Sequence, residues 1–389
     1  MRALRIFLIV TISIVSLAFI ATKVFKVNPP LKISKSEGSL PVHLLRLPDG
    51  FKVSIYAEGI LNARSMTFGS SDSILFVGTR GEGNVYALVD YDLDYKTDKV
   101  FTLLTDGNMP NGVAFKNGDL YVAEVNRILR FNNIEENLEN PGDPEIIYDG
   151  YPDKSHHGWK YIAFGPDERL YVPVGAPCNI CESEDEVFNS ITALDIKTKE
   201  VEILHRGIRN TVGFDWHPKT KNLWFTDNGR DMMGDNKPEC ELNRADKVNM
   251  HFGYPYCHQG DLPDPKFGKD KDCTLFSPPA TKLGPHTAPL GMEFYKGESF
   301  PSYYENGIYV ARHGSWNRSE KIGYDVVHVK LDSNNNVVSY APFVTGWLSD
   351  DKKDVWGRPV DIEECSNGSI LISDDFGDAI YYVSYSENE

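Results

Sequence analysis

Six apolar triplets, each followed by a second apolar run that ends in polar or charged residues, set the rhythm of this chain. The triplets are Met66-Thr67-Phe68, Val113-Ala114-Phe115, Ile162-Ala163-Phe164, Phe214-Asp215-Trp216, Met292-Glu293-Phe294 and Val360-Asp361-Ile362. The paired runs begin at Leu75, Leu120, Leu170, Leu223, Ile308 and Ile370 and read LFVGTR, LYVAEV, LYVPVG, LWFTDN, IYVARH and ILISDD. The last triplet residues are spaced by 47, 49, 52, 78 and 68 positions. Short strand-like runs at a period of about 40–50, separated by Gly, Asn and Asp turns, predict propeller blades, each a small sheet that cannot bury both faces alone. The expected fold is all-β, a six-bladed β-propeller over residues 41–389. An insertion at about 232–283 accounts for the longest interval.

Composition changes this picture little. Aromatics make up 12% of the 389 residues, which suits sheet-on-sheet packing between blades. A net charge of −16 argues against nucleic acid as a partner, because phosphate binding needs a basic face. The chain has no G-x-S-x-G elbow, no Walker loop and no H-E-x-x-H, and it lacks the alternating helices of a Rossmann unit.

The N-terminus reads differently. Arg2 and Arg5 precede an uncharged run from Ile6 to Thr22, and Lys23 and Lys26 follow it. Seventeen residues lie between a signal-peptide core and a full membrane span, so residues 1–26 are expected to be a signal peptide or an anchor. Either places the globular part outside the cytoplasm, in a periplasm, with residues 27–40 as a tether. Six cysteines fit that oxidising compartment. A Cys257–Cys273 disulfide is expected to clamp the insertion, with Cys178 and Cys181 as a second local bridge; the sequence leaves Cys240 and Cys365 open.

In a propeller, the residues just before each inner triplet meet around the axis. Here they bring Arg64, Asn111, His156, His157, Arg209, Asn210, His286 and Arg358 to one end. Such a ring suits a polyanionic small molecule, with guanidinium forks for carboxylates and an imidazole to take a proton. Adjacent extended residues point opposite ways, so one of His156 and His157 is expected in the pocket; the pattern does not say which. The run Asp227-Asn228-Gly229-Arg230-Asp231, with Gly234-Asp235 and Glu241-Leu242-Asn243, is dense in oxygen donors. Turn chemistry explains such a loop, and so does a hard-cation site.

These motifs resemble one family, the soluble pyrroloquinoline quinone (PQQ) dependent glucose/sorbosone dehydrogenases, and in particular its L-sorbosone dehydrogenase-like branch. The resemblance runs from Leu47 to Tyr385 and rests on HHGWKYIAFGPD, GIRNTVGFDWHP, LWFTDNGRD, ELNRADKVNMHFGYPYCHQG, APLGMEFYKG, HGSWNR and WGRPVDI together. It implies a quinoprotein that holds PQQ and Ca²⁺ at the channel mouth and oxidises a sugar or aldehyde. The electrons would pass to an acceptor such as a membrane quinone or a cytochrome. It makes His157 the general base and places Arg209, Asn210 and Arg358 at the cofactor. The Gly229 and Arg230 carbonyls fall at the cofactor calcium, and Glu241, with a carbonyl near Phe252, at a separate structural calcium. The chain departs from the glucose enzymes at His156 (Asp there), Gly314 (a quinone-binding Lys) and Val360 (a second Arg). Nearby Arg312 and Arg318 are the expected replacements. Two rivals remain, a calcium-dependent propeller lactonase, which the cationic ring disfavours, and a non-catalytic sugar- or protein-binding propeller.

Overall fold

The computed structural model describes residues 26–30 and 40–387; the expected leader apart from Lys26, and most of the tether, lie outside these residues. Six four-stranded antiparallel sheets form the body. Their inner strands are Ala63–Phe68, Gly112–Lys116, Ala163–Phe164, Phe214–Trp216, Pro289–Phe294 and Pro359–Glu364, so every triplet falls on an inner strand except that Ile162 lies just before its own. The protein is a six-bladed β-propeller. Each inner strand runs away from one mouth of the central channel, and the antiparallel second strand returns to it.

Burial follows from position in the blade. The second strands Leu223–Asp227, Ile308–Arg312 and Ile370–Asp374 are buried at every residue, because a neighbouring blade covers each face. The outer strand Lys99–Leu104 keeps one side in water. Packing between blades is largely aromatic and aliphatic. Trp224 of blade four meets Phe294 of blade five edge to face at 5.8 Å, within a cluster that includes Leu242, Met292 and Val310.

The ring is closed by a strand that the triplet pattern did not reveal. Phe51–Glu58 leaves the N-terminal side and pairs antiparallel with Ala379–Tyr385, from Phe51 opposite Tyr385 to Glu58 opposite Ala379. It thereby supplies the outer strand of blade six and joins the two ends of the chain.

At the end of the channel away from that mouth, carboxylates staple neighbouring blades through backbone N–H groups. Asp361 accepts from Met66 at 2.9 Å, Glu363 from Phe68 at 3.2 Å, Asp215 from Phe294 at 3.0 Å and Glu293 from Glu364 at 3.1 Å.

The insertion is shorter than expected. Glu239–Ala245 is the third strand of blade four and Thr281–Pro285 its fourth, so only the stretch between them stands outside the blade. It carries a two-stranded hairpin, Cys257–His258 with Leu262–Pro263, and the expected Cys257–Cys273 disulfide. Cys178 and Cys181 are also bridged, while Cys240 and Cys365 are buried thiols.

Candidate active site

A cavity of about 340 Å³ opens at the mouth where the inner strands begin. Four guanidinium groups, from Arg64, Arg80, Arg209 and Arg358, line it, as do the imidazoles of His157, His286 and His313. Asp231 is the one carboxylate on the wall, and Asp375 stands behind it.

His157 is positioned by its backbone. Its φ of 51° is left-handed, and Gly175 makes room for it, since a Cβ there would stand 2.7 Å from the His157 Cβ. The ring nitrogen Nδ1 lies 2.8 Å from the Ala176 carbonyl. A carbonyl only accepts, so Nδ1 carries the proton and Nε2 keeps its lone pair. Burial, then the charges of Arg209 and His156, hold the imidazole well below its ordinary 6.5. His156 is exposed, which settles which histidine of the pair turns inward.

The arginines are fixed by different means. Arg209 donates through Nε to the Asn179 carbonyl at 3.0 Å and through Nη1 to the Asn228 carbonyl at 3.1 Å, and it pairs with Asp231 at 3.2 Å. Its backbone N–H and that of Asn210 both donate to the buried Asp227 carboxylate, at 2.9 and 2.6 Å. Arg358 donates to the carbonyls of His313 and Gly314, each at 3.0 Å, and lies 5.7 Å over the Tyr324 ring. Arg64 is 1% exposed and shares Asp375 with His313, whose Nε2 is 2.7 Å from that carboxylate. Arg80 has no carboxylate partner among the described residues; it rests on the Trp159 ring at 4.6 Å.

Burial, then the charge of Arg358, pulls His313 down to about 3, so it is neutral and donates Nε2–H to Asp375. Four guanidiniums against the carboxylates of Asp231 and Asp375 leave the cavity with more positive than negative charge. Beneath it, Leu290, Val360, Val212 and Trp159 form an apolar floor, which explains Val360 where an arginine was expected. Gly314 has a physical reason too. Its φ is +97° and a Cβ would meet the Tyr324 ring at 2.5 Å, so the site has no room for the expected lysine.

Of the expected site residues, His157, Arg209, Asn210, Arg358 and Gly229 share this wall. Arg312 does not. It pairs across the strands with Asp325, its Nε and Nη2 donating to that carboxylate at 2.8 and 2.6 Å, and its Nη1 donates to the Leu283 carbonyl. Strand alternation turns Arg312 away where it turns His313 in. Arg318 is also off the wall, donating to the Asp235 carbonyl at 2.8 Å. The Arg230 side chain leaves toward Asp264.

Glu241 stands one strand behind the wall, opposite Asp227. It accepts from the Gln259 N–H at 2.6 Å and from Asn243 Nδ2 at 3.0 Å. Burial, then mutual charge, pushes its carboxyl upward, and the Asn243 Oδ1 is buried without a hydrogen-bond donor. That donor set suits a cation apart from the cavity.

Arg80, Trp159, His313, Asp375 and Trp316 were not singled out from sequence. The signal was present for Arg80, His313 and Asp375, which follow or end second strands and so return to the same mouth.

The geometry can now be set beside known proteins. The sequence profile of the TrAA12-like family matches residues 45–261 and 261–385. An uncharacterized protein of Borreliella burgdorferi is 33% identical over 355 residues, spanning 88% of this chain and 91% of that protein. A pyrroloquinoline quinone-dependent pyranose dehydrogenase of Coprinopsis cinerea is 32% identical over 160 residues, 33% of this chain and 21% of that enzyme. Among solved structures, the calcium structure of Trichoderma reesei Carbohydrate-Active Enzymes Family AA12 superposes with a TM-score of 0.77 at 20% identity, over 90% of this chain and 100% of that one. The holo form of the pyranose dehydrogenase PQQ domain from Coprinopsis cinerea gives 0.73 at 17% identity, over 87% and 97%. These structural likenesses carry the fold, whereas the profile covers nearly all of the propeller. The chain belongs to the TrAA12-like family.

Proposed function

We propose that this protein is a PQQ- and calcium-dependent dehydrogenase that oxidises a sugar or sugar aldehyde, of the sorbosone or aldose type. One observation carries the reading: His157 Nε2, with its lone pair free by tautomer, shares a cavity with four guanidiniums. A base beside a cationic cradle is what removal of a hydroxyl proton next to an anionic acceptor needs. Membership of the TrAA12-like family and the similarity to the pyranose dehydrogenase of Coprinopsis cinerea support the same chemistry.

The residues present fit the group. Arg64, Arg80, Arg209 and Arg358 exceed the nearby carboxylates, and Arg80 with the unpartnered Trp159 indole N–H leaves donors for an incoming anion. A tricarboxylate takes up such forks in bidentate fashion. Gly229 and Arg230 carbonyls, beside Asp231, are the donors for calcium, and Glu241 with Asn243 for a second cation. When bound, the quinone would supply the acceptor for a hydride, that is one proton and two electrons, and calcium would polarise it. The protein's own part is to hold that carboxylate-rich group with the arginines and to orient substrate or cofactor with Asn210. It also accepts the substrate's proton at His157 Nε2. The two disulfides support an extracytoplasmic, periplasmic setting, and the apolar run before the propeller supports a signal or an anchor.

The test is dye reduction by the purified protein given PQQ and Ca²⁺, across aldoses, sugar aldehydes and lactones. Sugar-dependent reduction is expected, with His157→Ala lowering kcat by about 10²–10⁴-fold while PQQ still quenches the intrinsic tryptophan fluorescence. Lactone hydrolysis without PQQ, or full activity in the variant, refutes the reading.

A further inference from the structure

Residues Lys26–Pro30 do not trail away from the propeller; they lie across the mouth of the cavity. Asn28 is gripped on three sides. Its backbone N–H donates to the Trp316 carbonyl at 2.8 Å, its Nδ2 donates to the Ser319 carbonyl at 3.0 Å, and its Oδ1 accepts from Lys321 Nζ at 2.7 Å. Lys26 pairs with Asp235 at 3.3 Å. Asp235 is itself fixed by the Ser319 N–H at 3.1 Å and, through its carbonyl, by Arg318. Pro29 and Pro30 then form part of the cavity wall. Two consecutive prolines have fixed φ and no N–H to satisfy, so they cross an opening stiffly without an unmet donor. This grip also explains Lys321, whose side chain is buried at the rim, and Arg318, which is spent on the loop that holds the segment.

Upstream of Lys26 stands the uncharged run Ile6–Thr22, whose length is at the lower limit of a membrane-spanning helix, about 17–25 residues. We propose that the docked segment Lys26–Pro30 holds the cavity mouth against a lipid bilayer in which residues 6–22 are embedded. Four peptide steps separate Thr22 from Lys26, a reach of at most about 14 Å. Because Lys26 is tied to Asp235, the body cannot swing freely on a long tether; the mouth is the part of the propeller nearest the membrane. The opposite end, with the inner-strand turns that carry Asn117 and Lys219, faces away. A six-residue inner strand spans roughly 20 Å, so the two ends are well separated in depth. The orientation does not depend on the redox reading above.

The full-length protein, reconstituted in phosphatidylcholine vesicles, tests it directly. A fluorophore is attached at Glu320→Cys, on the exposed loop beside Ser319, or at Asn117→Cys, on the far turns. Cys240 and Cys365 are buried and do not compete for the label in the folded protein. Vesicles carrying a headgroup nitroxide on the phosphatidylcholine should quench the Glu320→Cys label severalfold more than the Asn117→Cys label. Equal or reversed quenching overturns the proposal, and so does recovery of a protein cleaved beyond Lys26 or washed from vesicles by salt. Asn28→Ala with Lys321→Ala, which frees the segment, should bring the two labels toward equal quenching. An undiminished difference there would mean that something other than the segment sets the orientation.

Discussion

His157 is suited to accept a proton because of what sits on its other nitrogen. With Nδ1–H given to the Ala176 carbonyl, the lone pair is left on Nε2 facing the cavity, and burial keeps the ring neutral at physiological pH. The next contribution comes from Arg209, whose guanidinium disfavours a second positive charge nearby. In the proposed reaction the neutral ring is the working form, so the acid limb of kcat/KM is expected well below pH 6.5. Removing the Arg209 charge should move the titration upward. In the apoprotein, the His157 Cε1–H resonance of Arg209→Gln is expected to titrate at higher pH than in the wild type; an unchanged midpoint would exclude Arg209 as a cause. The same scale explains why Arg312 and Arg318 were misread. Their nearness in sequence to Gly314 said nothing about direction, and strand alternation sends Arg312 to Asp325 while His313 faces the cavity.

The inner and second strands were legible because each carries its own apolar signal and a short turn joins them. The closing strand was not. Phe51–Glu58 pairs with Ala379–Tyr385 across almost the whole chain, and no local pattern encodes a partner that distant. Its stability comes from aromatic packing. Phe51 meets Phe300, Phe343, Tyr304 and Tyr385 with ring centroids between 4.8 and 5.2 Å. Phe51→Ala is therefore expected to cost about 3 kcal/mol, read as a lower urea midpoint, because it opens a cavity at the seam where the ring closes. The cavity wall was half legible for a related reason. The residues before each triplet were found, but the ends of the second strands also return to the mouth. That return brings Arg80, His313 and Asp375 beside residues read directly from the triplets.

Along the axis, the molecule separates its charges. The mouth gathers four guanidiniums, yet three residues beyond Arg358, on the inner strand that follows it, Asp361 begins the carboxylate end, with Glu363, Glu293 and Asp215. Burial pushes Glu293 up to about 8 despite the pull of Lys296, and Asp215 adds to the rise. Burial likewise raises Asp361 to about 7, against the hydrogen bond from Met66. Each group binds its proton more tightly folded than unfolded, so each lends stability that is complete below its unfolded value, 4.5 for Glu293 and 3.8 for Asp361, and disappears as pH climbs through the folded one. The share of thermal stability owed to these two carboxyls should therefore fall between about pH 5 and pH 8.5, the reverse of what carboxylates depressed by salt bridges would give. Glu293→Gln fixes the uncharged form. In that variant Tm should decline less over the same interval, by differential scanning calorimetry, and match or exceed the wild type at the alkaline end. A decline as steep as in the wild type would mean that Glu293 is ionised in the folded state and that Lys296 outweighs its burial.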